Sequence, residues 1–448
     1  MTRLKSWPQI SRTVRKATRL QLVFMIYAAV CGGAFGLEEM VSGSGPGLAL
    51  VVLALMPLVF SLPVSLAVAE MTARFPVEGG SYRWAATALG GFWGAQSGWW
   101  TWLTSAIMNT LYAVLFVSYA KQAFPAITGR GEWMLAIALI WIVYFLNIKG
   151  IHLIGNAAIF LTILLLVPFA VTTVLGLSQW KFNPVSPFHD PSKPFLAGLH
   201  ASVAIAIWLY AGYDKLSAAA EETDNPQRNF LWALLLAGGF SALSYLLPTI
   251  AGLAAVGNWQ SWTTGYFSVL AGKIGGPWLE GAMIASALLS NFLLLAVTML
   301  SASRVTMTMA QDKVLPSRLA AVHSVHQTPV RSLLFNAVIY SLLALFNFQQ
   351  LIFLNSVFQI ANILIIFASL IAIRGSKSEQ LPAFQVPFGR VGLIVLMLPT
   401  CILALAVGLE STAPKELLVL AVAALAGAIF YWIRGRSTVQ EPARRISA

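Results

Sequence analysis

Apolar residues occupy this chain in long blocks, and polar residues are confined to the short stretches between them. A helix rises about 1.5 Å per residue, so about 20 apolar residues cross a hydrocarbon layer about 30 Å thick. Such blocks recur from end to end. They predict twelve membrane spans, near 20–41, 47–72, 92–120, 132–148, 153–177, 195–222, 229–256, 278–306, 332–347, 350–373, 392–411 and 416–433. The pattern therefore predicts an all-α integral membrane protein with a basic tail over 1–19, one transmembrane domain over 20–433 and a second tail over 434–448. The first span follows a basic segment and precedes many others, so it reads as an anchor and not as a cleaved signal peptide.

Two blocks are interrupted. The first contains Cys31-Gly32-Gly33-Ala34-Phe35-Gly36-Leu37-Glu38-Glu39, with three glycines in five residues. Glycine holds a helix poorly. An unpaired amide in hydrocarbon costs several kcal/mol, so a broken helix persists only where protein buries it or where it lines a cavity. The second interruption, Trp208-Leu209-Tyr210-Ala211-Gly212-Tyr213-Asp214, falls in the sixth block. Breaks in spans one and six fit a 5+5 inverted repeat, because an odd number of spans per half turns the second half over.

A break frees N–H groups, carbonyls and helix-end dipoles to hold a small polar ligand. The expected binding residues are Gly32, Gly33, Ala34 and Gly36 in span one, Asn109 in span three, and Trp208, Tyr210, Ala211 and Gly212 in span six. Amides around Gly32 to Ala34 suit the carboxylate of an amino acid, and carbonyls near Trp208 to Ala211 suit its ammonium. The competing readings are close helix packing for the glycines and a helix-to-helix bridge for Asn109.

Charge refines the picture. The net charge of +12 would suggest a nucleic-acid partner in a soluble protein. Here six of the 28 Lys/Arg (Lys121, Arg130, Lys181, Lys193, Lys273 and Lys415) lie on one side of the twelve spans and the rest on the other. The positive-inside rule then places both tails in the cytoplasm and leaves no need for nucleic acid. Intramembrane carboxylates are functional candidates by default, so Glu38, Glu39, Asp214 and Glu222 are the candidates for proton coupling. The alternatives are an aqueous vestibule for Glu38 and Glu39 and an ion pair for Glu222. Ser286, Ser290 and Thr298 supply the rival, sodium-coupled reading. Glu70 and Arg74 read as a local i,i+4 ion pair.

Both cysteines, Cys31 and Cys401, lie in spans, so no disulfide framework is expected. His323 and His326 lack a third metal ligand nearby. No cofactor, metal or catalytic constellation is expected, and the chain does not read as an enzyme.

These segments resemble the amino acid–polyamine–organocation superfamily of permeases. The resemblance rests on the span-one break, "AEMTARFPVEGGSY" from Ala69, "GYDKLSAAAEETDNP" from Gly212, "SRVTMTMAQDKVLP" from Ser303, and "TPV" from Thr328. It implies the inverted-repeat fold of the leucine-transporter type, with discontinuous helices 1 and 6. It also implies that Trp208 covers the bound ligand as a gate. Within the superfamily the chain is most similar to plant-type polyamine uptake transporters and to bacterial amino acid permeases. Two acids of the plant pattern fall on Met108 and Ile366 here. A polyamine needs carboxylates spaced along its site, so the expectation is proton-coupled uptake or exchange of amino acids; the alternative is transport of a polyamine or other organic amine. The loop over 121–132 has no cysteine for a disulfide-linked heavy chain. The expected location is a bacterial cytoplasmic membrane, with membrane lipid as the surrounding partner.

Overall fold

The computed structural model describes residues 22–23, 26–27, 30–75, 80–149, 154–212, 226–323, 326, 328–375, 384–387, 389–410 and 414–434. Both tails, Asp214 and Glu222 lie outside the described residues.

Regular structure among the described residues is helical throughout. After the span-one break come α1 (Glu38–Ser44) and a long helix, α2, over Pro46–Arg74. Gly45, at φ 92°, separates them, and Pro46 starts α2 where a missing N–H is harmless. Pro57 removes a donor further along, and the helix widens into a π turn over Pro57–Ser61. There follow α3 (Ser81–Leu89), α4 (Gly91–Ala123), α5 (Arg130–Ile148), α6 (Ile154–Ser178) and α7 (Phe195–Leu209). The remainder is α8 (Pro226–Val256), α9 (Tyr266–Gly275), α10 (Pro277–Gln311), α11 (Val330–Leu343), α12 (Phe348–Gly375), α13 (Gly389–Glu410) and α14 (Pro414–Arg434). Among the described residues, six helices are long and apolar enough to cross a membrane: α2, α4, α5, most of α8, α10 and α12. Shorter apolar stretches lie in α6, α7, α11, α13 and α14.

Several polar side chains buried between these helices pair with one another or with backbone carbonyls. In α4, Ser97 donates to Asn362 Oδ1 at 2.9 Å, and Trp102 Nε1 donates to Asn336 Oδ1 at 2.9 Å. Trp99 Nε1 donates to Ala423 O of α14 at 2.7 Å. Gly427 permits that approach, because a Cβ there would lie 2.6 Å from the Trp99 ring.

Glu70 is not confined to the local pair with Arg74. It is fully buried and accepts from Arg74 Nε and Nη2 at 3.0 and 2.9 Å. It also accepts from Arg374 Nε at 2.8 Å, from Arg374 Nη2, and from the Val386 N–H at 2.8 Å. Arg374 in turn donates to Gly389 O at 2.6 Å. One carboxylate thus joins α2, the end of α12 and the segment that leads into α13. A second clamp joins α3 to the end of α10: Tyr82 donates to Asp312 at 2.7 Å, and Arg83 pairs with it at 3.2 Å.

At the other end of α2, the segment before α7 folds over α1. The Asp190 N–H donates to Ser44 O at 2.9 Å. The Asp190 carboxylate accepts from the Ser192 hydroxyl and N–H, and these hydrogen bonds hold it below the usual carboxylate range.

Candidate substrate site

The span-one helix ends at Val30, and its last ladder bond runs from Cys31 N to Tyr27 O at 2.6 Å. Residues 31–37 are non-helical. Gly33 and Gly36 sit at φ 101° and 87°, where a side chain is strained. A Cβ on Gly33 would also lie 2.7 Å from the Phe169 ring, and one on Gly36 would lie 2.8 Å from Trp208. The glycines therefore serve both readings, since they permit the break and let aromatic rings close on it.

In span six the described residues reach only Gly212. Helix α7 stops at Leu209, and Gly212 follows at φ 112°. Tyr210, fully buried, donates its hydroxyl to Leu53 O of α2 at 2.9 Å and so fixes this end.

A small cavity of about 30 Å³ lies between the span-one break and the end of α7. Its wall includes Val30, Gly32, Gly33, Trp208 and Leu209 from the breaks themselves. Phe35, Met108, Tyr112 and Tyr245 add a thioether and aromatic rings, and Ser290 and Asn291 are polar residues of α10 in the lining. Trp208 is 5% exposed, meets Phe348 edge-on at 5.8 Å, and keeps its indole N–H buried without a protein partner among the described residues. That placement suits a lid.

The sequence-derived candidates divide accordingly. Gly32, Gly33 and Trp208 line the cavity. Gly36 packs on Trp208, and Tyr210 packs edge-on against Tyr245 at 5.2 Å. Ala34 and Ala211 are buried beside the breaks. Asn109 is not in the cavity wall. Its amide donates to Ser105 O at 2.7 Å and accepts from Thr298 at 2.7 Å, so it bridges α4 and α10.

Glu38 is fully buried and does not face an aqueous vestibule. One oxygen accepts the Gly36 N–H at 2.7 Å; the other accepts the Tyr119 hydroxyl and the Gly265 N–H. The carboxylate thus ties the break to α4 and to the segment preceding α9. Glu39 accepts from Thr264 at 2.5 Å. Ser290 donates to Gly32 O at 2.6 Å and Ser286 to Leu165 O at 2.7 Å, and Thr298 Oγ1 also lies 2.5 Å from Leu294 O. Met108 lies in the cavity wall, whereas Ile366 is buried outside it. Tyr112, Tyr245 and Asn291 are cavity residues that the sequence pattern did not single out, because each sits within an ordinary apolar helix.

The amino acid permease family model matches residues 18–433, nearly the whole chain and both breaks. The chain belongs to this family. It is accordingly a membrane transporter of small molecules and not an enzyme. The permease is 34% identical to the probable polyamine transporter At3g19553 of Arabidopsis thaliana over 93% of this chain and 86% of the relative. It is 32% identical to Polyamine transporter PUT1 of Oryza sativa subsp. japonica over 90% of this chain and 75% of the relative. A bacterial relative, the uncharacterized transporter lpg1691 of Legionella pneumophila, is 25% identical over 78% of this chain and 81% of its own length.

Proposed function

We propose that this permease carries polyamines or related organic amines through the membrane by alternating access at the paired breaks. The observation that carries this reading is the similarity, at 32% and 34% identity over nine-tenths of the chain or more, to relatives named as polyamine transporters. The cavity supports it. Ring faces of Phe35, Tyr112, Trp208 and Tyr245 attract a cation, and freed carbonyls accept from an ammonium. Glu38 takes the Gly36 N–H, so that one amide of the break is not open to a substrate carboxylate. This reverses the weight that the sequence puts on amino acids. Met108 does not rule out an ammonium, because carbonyl oxygens and rings supply acceptor character without a carboxylate.

The same proposal covers the wider layout. Twelve spans in a 5+5 inverted repeat, with both tails cytoplasmic, place the breaks near the bilayer midplane. Trp208 closes over the ligand. Glu38, Glu39, Asp214 and Glu222 are the candidates for proton coupling. Ligand-induced thermal stabilisation of the purified permease tests the substrate class, because a ligand that binds the folded state raises the melting temperature. Putrescine and spermidine should raise it by degrees. Stabilisation by amino acids alone would overturn the reading.

A further inference from the structure

One end of the α5–α11 pair gathers cations that the substrate site does not use. The two helices are joined at both ends. Thr328 Oγ1, just before α11, donates to Ile148 O at 2.9 Å, and Trp133 Nε1 donates to Ser341 O at 3.4 Å. Lys149 follows α5 directly, and Arg331 lies in the first turn of α11, so the Thr328 bond brings both to the same end of the pair. Arg331 Nη1 reaches Arg318 O at 3.4 Å, and Ser332 donates to Leu319 O at 2.8 Å. These bonds hold the turn that carries Arg318 at that end too. All three cations are exposed. Among the described residues none of them pairs with a carboxylate. The sequence has no Asp or Glu over 133–189 or over 313–343, and Asp312 is taken by Tyr82 and Arg83. Each helix also turns an apolar stripe outward. Phe145 and Leu146 precede Lys149 by four and three residues, and Leu334, Val338 and Leu342 continue the face that Arg331 begins. All five are exposed.

We propose that this end of the α5–α11 pair binds an anionic phospholipid, with Lys149, Arg318 and Arg331 on its phosphate and the two stripes against its acyl chains. The positive-inside rule accounts for cations at cytoplasmic helix ends in general. It does not require them to be gathered away from every acid, or to stand at the foot of two outward apolar stripes. Each cation near an anionic headgroup adds attraction, and an arginine offers a phosphate two parallel N–H bonds. A zwitterionic headgroup offsets its phosphate with its own ammonium and gains less. Free phosphate meets the same cations but leaves the stripes unused, so the lipid is the occupant that fits both features. None of these residues lines the substrate cavity, so a lipid held here leaves the substrate site open.

Native mass spectrometry of the full-length protein in detergent tests this, with phosphatidylglycerol and phosphatidylcholine of the same acyl chains as probes. The wild-type protein should hold phosphatidylglycerol at least about tenfold more tightly, because several cations act on one phosphate. Arg318→Gln combined with Arg331→Gln should cut that preference to within about twofold. Lys181→Gln combined with Arg390→Gln removes two exposed cations elsewhere and should leave the preference unaltered. Equal binding of the two lipids by the wild-type protein overturns the proposal, and this comparison does not depend on any variant folding. A double variant at Arg318 and Arg331 that keeps the full preference also overturns it. So does an equal loss in the variant at Lys181 and Arg390, which would make the effect one of net charge. Displacement of the phosphatidylglycerol by equimolar glycerol 3-phosphate would make the patch a site for free phosphate and would contradict the lipid assignment.

Discussion

At the scale of single residues, the break depends on atoms that glycine lacks. Gly33 combines φ 101° with a Phe169 ring 2.7 Å from where a Cβ would be. Gly33→Leu should therefore abolish ligand binding while much of the helical core still forms; equilibrium binding with circular dichroism on the same sample checks both. Undiminished binding would move the site elsewhere. This glycine was legible in the sequence because three glycines in five residues weaken a membrane helix. Tyr245 was not legible. It sits in a run of apolar residues, and its partners, Val30 and Leu209, are 215 and 36 positions away. Asn109 was half legible. Its burial followed from its place in the span, but Ser105 and Thr298 engage both ends of its amide, and no sequence spacing announces that.

At the scale of elements, the chain uses buried charge to join helices. The sequence shows Glu70 and Arg74 four residues apart, and that spacing alone predicts a local pair. Arg374, 304 positions away, turns the pair into a clamp on α12. Removing one partner of a buried ion pair costs about 3–5 kcal/mol, because the other charge stays behind unpaired. Side-chain exposure of 0% for Glu70, 10% for Arg74 and 3% for Arg374 places this clamp in that regime. Glu70→Gln should accordingly lower the melting temperature by several degrees and destabilise the segment over 384–386, as hydrogen exchange on its amides would record. An unchanged melting temperature would show that the clamp contributes little net stability. Glu38 works in a similar way at the span-one break, where three donors from three segments meet on one carboxylate. The helices were legible because hydrophobic length is a strong signal. The clamps were not, because the sequence does not reveal which helices are neighbours.

At the scale of the whole molecule, the span-one break and the end of α7 meet at a cavity lined mostly by apolar and aromatic residues with few polar side chains. That is the arrangement expected of a carrier whose substrate is held at the break and released as the halves rearrange. Coupling to a proton requires a group that changes charge during that cycle. Asp214, next to the span-six break in sequence, is the first to test: Asp214→Asn should abolish accumulation driven by a pH gradient while leaving exchange across equal pH measurable. Gradient-driven accumulation by the variant would remove Asp214 from the coupling path. The central claim concerns the cargo. Purified permease in liposomes, given an inward proton gradient and labelled putrescine, spermidine or an amino acid panel, tests it most directly. The account predicts amine accumulation that collapses when a protonophore is added. Accumulation of amino acids, with none of either amine, would contradict it.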